Sequence, residues 1–196
     1  MSRYNKLPFA RGKSAFQNNS TDLTITSLAH LEGQKVYLPN AAAATPEVRR
    51  NGTDLVAVVV RCVDAVLYPG EALWWKTGYH GTRVTKTAAT DNGEICGFVD
   101  DHANATNGIQ VNDLFYMIVE GPTLVKTLSG GTAHTGSNLV EGKLIVASGT
   151  VGKVHAHAAA ADADGADADT VWNIAGRVIT TTALGTDTLV NVKIPT

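Results

Sequence analysis

The sequence predicts an all-β protein, a compact β-sandwich or barrel-like fold built from two similar β units and preceded by an extended N-terminal arm. Charged residues are only 17% of the 196-residue chain, while Ala, Gly, Thr and Val are abundant, a balance that suits sheets and tight turns better than long solvated helices. Short β-branched runs are bounded by glycine at nearly every junction, and no segment between them sustains the apolar spacing of a helix. The order of these runs also recurs along the chain.

Residues 1–33 form the expected arm. Arg3, Lys6, Arg11 and Lys13 precede the first acid, Asp22, and the few apolar residues, Leu7, Phe9 and Phe16, show no sustained period. Such a segment buries too little surface by itself to offset its ordering entropy, so it is expected to order only against a neighbour. It contains no continuous apolar core of the kind a secretory signal needs, and no stretch reaches membrane-spanning length. A first β lobe is expected over 34–128 and a second, packed on it, over 129–196.

Strands are predicted at 35–38, 55–63, 72–76, 82–87, 94–99, 114–119, 123–128, 143–147, 153–157, 172–179 and 188–194, with a loop or single helical turn at 41–48. The run 55–63 is too apolar for a strand wetted on one face, so it is expected between two packed layers. Many short strands with Gly-rich turns indicate a sandwich or barrel and not a βαβ sheet.

The repeat is read as follows. Gly70-Glu71-Ala72-Leu73-Trp74-Trp75, a glycine turn and Arg83-Val84 lie over Gly142-Lys143-Leu144-Ile145-Val146, a glycine turn and Lys153-Val154. Ile95-Cys96-Gly97-Phe98-Val99 then matches Ile174-Ala175-Gly176-Arg177-Val178, and Asp113-Leu114-Phe115 to Val119 parallels Asp187-Thr188-Leu189 to Lys193. The endings Gly121-Pro122-Thr123 and Ile194-Pro195-Thr196 correspond as well. Each unit alone has too little area to be stable, so the two are expected to pack together.

Chemistry-bearing groups are sparse. The net charge of -2 argues against a chain that coats nucleic acid, because phosphate binding draws on a surplus of Lys and Arg. His155 and His157 share a strand face and precede an Ala/Asp tract, which makes them the metal candidates. The tract matches no calcium-loop spacing and reads as a solvated loop, so no metal or cofactor is expected. Cys62 and Cys96 sit in apolar stretches and read as buried thiols. No nucleophile elbow or phosphate cradle occurs. Asp100, Asp101 and His102 are the remaining acid/base candidates and read as surface charge, so no enzyme is expected. On a strand, Trp74 and Trp75 must point to opposite faces. One fills the core, and with Trp172 they are expected at lobe or subunit packing surfaces. An exposed Trp75 or Tyr79 would instead serve a carbohydrate- or receptor-binding module.

The order Gly-x-x-Leu-Trp-Trp, a Thr-rich strand, Gly-x-Ile-Cys-Gly and a strand rich in Leu, Val and Ile resembles the capsid decoration (cement) proteins of tailed bacteriophages. The stretch from Ile174-Ala175-Gly176-Arg177-Val178 to Ile194 is similar to the end of that group. The resemblance covers roughly residues 55–196, and its motifs are patterns of small and β-branched residues. It implies a compact, catalytically silent β-protein of the virion, often trimeric, that sits on the outer capsid and clamps neighbouring major capsid subunits. The long arm and the Ala/Asp loop depart from that pattern. On this reading the capsid-contact candidates are Arg3, Tyr4, Leu7, Phe9, Arg11 and Phe16, since an extended segment adds main-chain hydrogen bonds and contact area without needing a pocket.

Overall fold

In the computed structural model the described residues are 28–38, 54–86, 95–127, 139–147, 151–156, 174–182 and 187–194. They form a 3-10 turn, Ala29–Leu31, and ten strands: β1 Lys35–Leu38, β2 Leu55–Cys62, β3 Ala72–Trp75, β4 Arg83–Thr85, β5 Gly97–Val99, β6 Leu114–Val125, β7 Leu144–Ala147, β8 Val154–Ala156, β9 Gly176–Val178 and β10 Thr188–Lys193. The chain is all-β, as the composition and punctuation predict. All ten strands belong to one sheet in the order β1-β2-β4-β3-β5-β6-β10-β9-β7-β8, with a further pairing of β2 to β6. No helix among the described residues is long and apolar enough to cross a membrane.

The extra pairing closes a ring. β2 runs antiparallel to β6 and parallel to β4, and β4-β3-β5-β6 completes the circuit through antiparallel neighbours. The second ring repeats this plan with β6 as its first strand. The later residues of β6 run antiparallel to β10, while Thr127, just beyond it, makes a parallel bridge to Val154 of β8, and β8-β7-β9-β10 completes the circuit. β6 is therefore the last strand of one barrel-like ring and the first of the other, and the expected lobe boundary at 128/129 falls just after this shared strand.

Residue by residue, the pairings coincide. Trp75 lies opposite Val84 as Ala147 lies opposite Val154, and Leu73 opposite Gly97 as Ile145 opposite Gly176. Val99 faces Met117 as Val178 faces Val190. The last pair corrects the sequence alignment of the closing strands. Met117 corresponds to Val190 and Val119 to Val192, one residue away from the match that the two aspartates, Asp113 and Asp187, suggest. A one-residue slip would turn every side chain of β10 to the other face, so burial fixes the register where composition does not. The equivalent of β2 in the second ring is the later part of β6, a correspondence the sequence alignment did not include.

Segments 114–119 and 123–128, expected as two strands broken at Gly121-Pro122, are one strand from Leu114 to Val125. Gly121 takes φ 107°, and a Cβ there would lie 2.7 Å from Leu55 Cδ2. Pro122 costs the β10 ladder nothing. Val119 accepts from the Ile194 N–H, so by alternation the odd-numbered residues of β6 bond to β10, and the proline nitrogen faces the other edge.

Alternation also divides the core. Val56, Val60 and Cys62 of β2 face Leu73, Val84, Val99, Phe115 and Met117 inside the first ring. Leu55, Ala57 and Val59 face outward and cluster with Val36, Leu38, Leu114, Tyr116 and Ile118. β2 thus lies between two packed layers, as its apolar run predicts. A third cluster joins Val125, Ile145, Val154, Val178 and Val190 of the second ring to Ala72, Trp74 and Phe98 of the first.

Candidate functional site

Two clusters of charged groups lie on the first ring, and both are joints between chain segments. At one joint, Arg61 of β2 and Arg83 of β4 are register partners in the parallel pair, so their guanidinium groups project side by side. Glu32, just after the 3-10 turn, closes on both. Arg61 Nε donates to Glu32 Oε1 at 2.6 Å, and Arg83 Nε lies 3.5 Å from Glu32 Oε2. Arg61 also donates to the Asn112 carbonyl at 2.8 Å, while the Arg83 guanidinium stacks 4.4 Å from the Tyr79 ring centroid. The Arg61 and Glu32 side chains are only 6% and 8% exposed, so this is a largely desolvated pair that holds residues 28–34 on the ring. Leu28 and Leu31 pack against the outer cluster beside it.

The second joint lies between the rings. Glu71 is buried; its Oε1 is 3.6 Å from Lys126 Nζ and its Oε2 is 3.6 Å from Lys86 Nζ. Both ammonium groups sit over the Tyr68 ring, at 5.0 and 5.5 Å, and the Tyr68 N–H donates to Glu71 Oε2. The Lys126 N–H donates to the Gly70 carbonyl, and the Ala72 N–H to that of Gly152. Backbone hydrogen bonds and an ion cluster thus tie the second ring to the start of β3.

The acid/base candidates support structure. Asp100 is buried and accepts from the His102 N–H at 3.3 Å. Asp101 Oδ2 accepts from the Leu124 N–H at 3.2 Å, and its Oδ1 lies 3.7 Å from His102 Nε2. These carboxylates, expected at the surface, are therefore turned inward to cap backbone amides, because the loop after β5 folds back on β6. The thiols are buried, as their apolar context predicts. Burial pushes Cys62 up to about 12, against a smaller lowering by a backbone hydrogen bond at Ala65. Burial likewise holds Cys96 well above the usual thiol value.

Trp74 and Trp75 point to opposite faces, and both are used internally. Trp75 packs against the interior of the first ring, whereas Trp74 is buried in the cluster between the rings. Tyr79 is 46% exposed at the β3–β4 turn and Tyr37 44% exposed on β1. Of His155 the structure describes only the backbone, paired with Val146. Arg3, Tyr4, Leu7, Phe9, Arg11, Phe16, His157 and Trp172 lie outside the described residues. Among the described residues no group of three His, Cys, Asp or Glu is placed to hold a metal ion.

Sequence reading missed Glu32, Arg61, Glu71 and Lys126. One signal was present: Arg61 is the sole charge in the run 55–63, and a charge inside an apolar strand requires a partner. Nothing in the sequence says that the partner is Glu32, on the far side of β1. No protein-family model matches the chain, and no curated protein matches it.

Proposed function

We propose that this chain is a structural virion protein that binds the outer surface of an assembled phage capsid and stabilises it by clamping neighbouring major capsid subunits. The observation that supports this reading is the doubled ring with its shared strand, built from the same segments that resemble decoration proteins. The Arg61–Glu32 pair and the Glu71 cluster join chain segments to one another, which supports a reading in which the fold offers a partner rigid area. Binding only the assembled shell stabilises that shell by mass action, and many modest contacts suffice when they repeat over a symmetric lattice. A homo-oligomer, with a trimer favoured, fits a role at local symmetry points.

Imaging of purified particles tests the reading: density for this chain at regular lattice positions is expected, and its absence from particles overturns it. Deleting residues 1–27, which leaves every described element in place, is expected to abolish or greatly weaken shell binding; unchanged binding rejects the role of the arm. The exposed ring of Tyr79, stacked on Arg83, favours a second reading, a carbohydrate- or receptor-binding module. Glycan screening of the isolated protein separates the two, since only the second expects a hit that Tyr79→Ala removes.

A further inference from the structure

The two rings contain the same turn in different surroundings. Gly70 and Gly142 both take positive φ, 74° and 88°. Gly70 donates its N–H to the Val99 carbonyl, and Gly142 donates to that of Val178. The residue after each glycine, Glu71 or Lys143, accepts from the Val99 or Val178 N–H in return and donates to the carbonyl of Tyr68 or Val140. Tyr68 thus matches Val140, Glu71 matches Lys143 and Ala72 matches Leu144. Phe98, paired with Ala72, matches Arg177, paired with Leu144.

In the first ring this turn is the seat of the second ring. The Gly70 carbonyl accepts from the Lys126 N–H, the Ala72 N–H donates to the Gly152 carbonyl, and a Cβ on Gly70 would lie 2.9 Å from the Leu124 carbonyl. Gly70, Glu71, Ala72 and Phe98 are accordingly buried. In the second ring a Cβ on Gly142 would meet no atom of a described residue within 4 Å. Lys143 and Leu144 are half-buried, Arg177 is exposed and Val140 is 44% exposed. Where Gly70 receives an amide of the next ring, Gly142 receives Arg177 Nη1 at 3.1 Å. The seat is occupied in one ring and open in the other.

Charge at the open seat is reversed in sign. Glu71 stands between the ammonium groups of Lys86 and Lys126, whereas its match is the cation Lys143, and Arg177 replaces Phe98. Neither cation forms an ion pair with a described residue. The acid of this turn, Glu141, is exposed, with its N–H donated to Thr181 Oγ1. Lys126 matches Arg61 in the register of the two rings. A second copy seated as the second ring is seated would therefore bring Arg61 against Lys143, and like charges brought together oppose that occupant. Two cations beside the apolar Val140 and Leu144 suit a segment that carries carboxylates.

We propose that the open turn of the second ring, Val140 to Leu144 with Arg177, docks an acidic segment of a partner protein. Carboxylates meet Lys143 and Arg177, and an apolar side chain packs on Val140 and Leu144. The proposal rests on the shell-binding reading for the identity of that partner, a capsid subunit, and deepens it by naming a contact surface apart from residues 1–27.

The surface is tested on the isolated full-length protein by following backbone amide resonances during titration with poly-L-glutamate. Shifts at residues 140–144 and 177 are expected. The double variant Lys143→Glu/Arg177→Glu should weaken the response about tenfold or more, while Lys143→Arg should preserve it. An absence of shifts at these residues overturns the proposal, as does a stronger response there to double-stranded DNA or to phosphatidylserine vesicles. Co-sedimentation with assembled shells is the second measurement. The double variant, and separately Val140→Asp at its exposed position, should bind about tenfold more weakly than the parent; binding equal to the parent's overturns the proposal. A parent chain that fails to bind shells overturns the shell-binding reading instead, and the titration still decides the surface.

Discussion

Inside the first ring stand Trp75, Phe115 and Met117; the same positions of the second ring hold Ala147, Thr188 and Val190. Val58 and Cys62 of the first correspond to Thr123 and Thr127 of the second, and all three threonines are buried. One set of pairings thus encloses two chemistries, a hydrocarbon-filled core and a smaller one carrying hydroxyls. The second ring makes up apolar volume from outside, since Trp74, Ala72 and Phe98 of the first ring belong to its cluster. Ile194, partly buried, is its contribution in return to the first ring's interior cluster. The first ring is therefore the self-sufficient member, and the second is built on it.

The largest effect expected from this difference is at Phe115. Phe115→Ala should cost about 3–5 kcal/mol in denaturant unfolding through the cavity it leaves, whereas Thr188→Ala at the equivalent position, which loses a hydroxyl contact with Thr182, should cost about 1 kcal/mol. Equal costs would break the comparison. Next come two carboxylates that tie segments together. Glu32→Gln removes the charge from its largely buried pair with Arg61 and should cost about 3 kcal/mol, while Asp101→Asn keeps an oxygen for the Leu124 amide and should cost about 1 kcal/mol. Equilibrium unfolding of the two variants side by side checks the order.

A third pair sharpens the repeat itself. Gly97 and Gly176 occupy matched positions where β5 and β9 pass close to the following strand. A Cβ on Gly97 would meet Met117 Cγ and Sδ and the Ile118 carbonyl at 2.9 Å, and one on Gly176 would meet the Asn191 carbonyl at 2.6 Å and Val190 Cγ1 at 2.9 Å. Gly97→Ala and Gly176→Ala should therefore each cost about 2–3 kcal/mol, within the range for overpacking. A near-neutral result at either position in thermal unfolding would contradict the matched geometry. The smallest effect is a gain. Thr123 Oγ1 is buried without a hydrogen-bond partner, and Thr123→Val, which copies Val58, should stabilise by about 1 kcal/mol. A loss measured by chemical denaturation would show that the hydroxyl is satisfied.

Much of the architecture was legible before any coordinates. The β-branched run around Val59 marked a strand packed on both faces, glycine bounded the strands, and Ile95-Cys96-Gly97 over Ile174-Ala175-Gly176 located the repeat because the same close approach excludes a side chain at both places. Gly121-Pro122 misled for an instructive reason. Both residues break strands by local preference, yet here the glycine supplies the positive φ that the strand requires, and the proline nitrogen falls on an edge where the β10 ladder needs no donor. The candidate site was less legible. Asp100 and Asp101 look like surface acids because sequence shows charge but not which amides a loop will cap, and Glu32 with Arg61 joins positions separated by 29 residues.

By itself the sequence determined which segments extend, which face of each is apolar and that one plan occurs twice, since these follow from side-chain volume, branching and alternation within a few residues. Only the tertiary structure decided that β6 serves both rings, that β10 is set one residue from its apparent match, that Trp74 fills the space between the rings and that Arg61 closes on Glu32. Those outcomes depend on which strand edges meet. Edge pairing is settled by burial and backbone hydrogen bonds between distant parts of the chain, which no local pattern encodes.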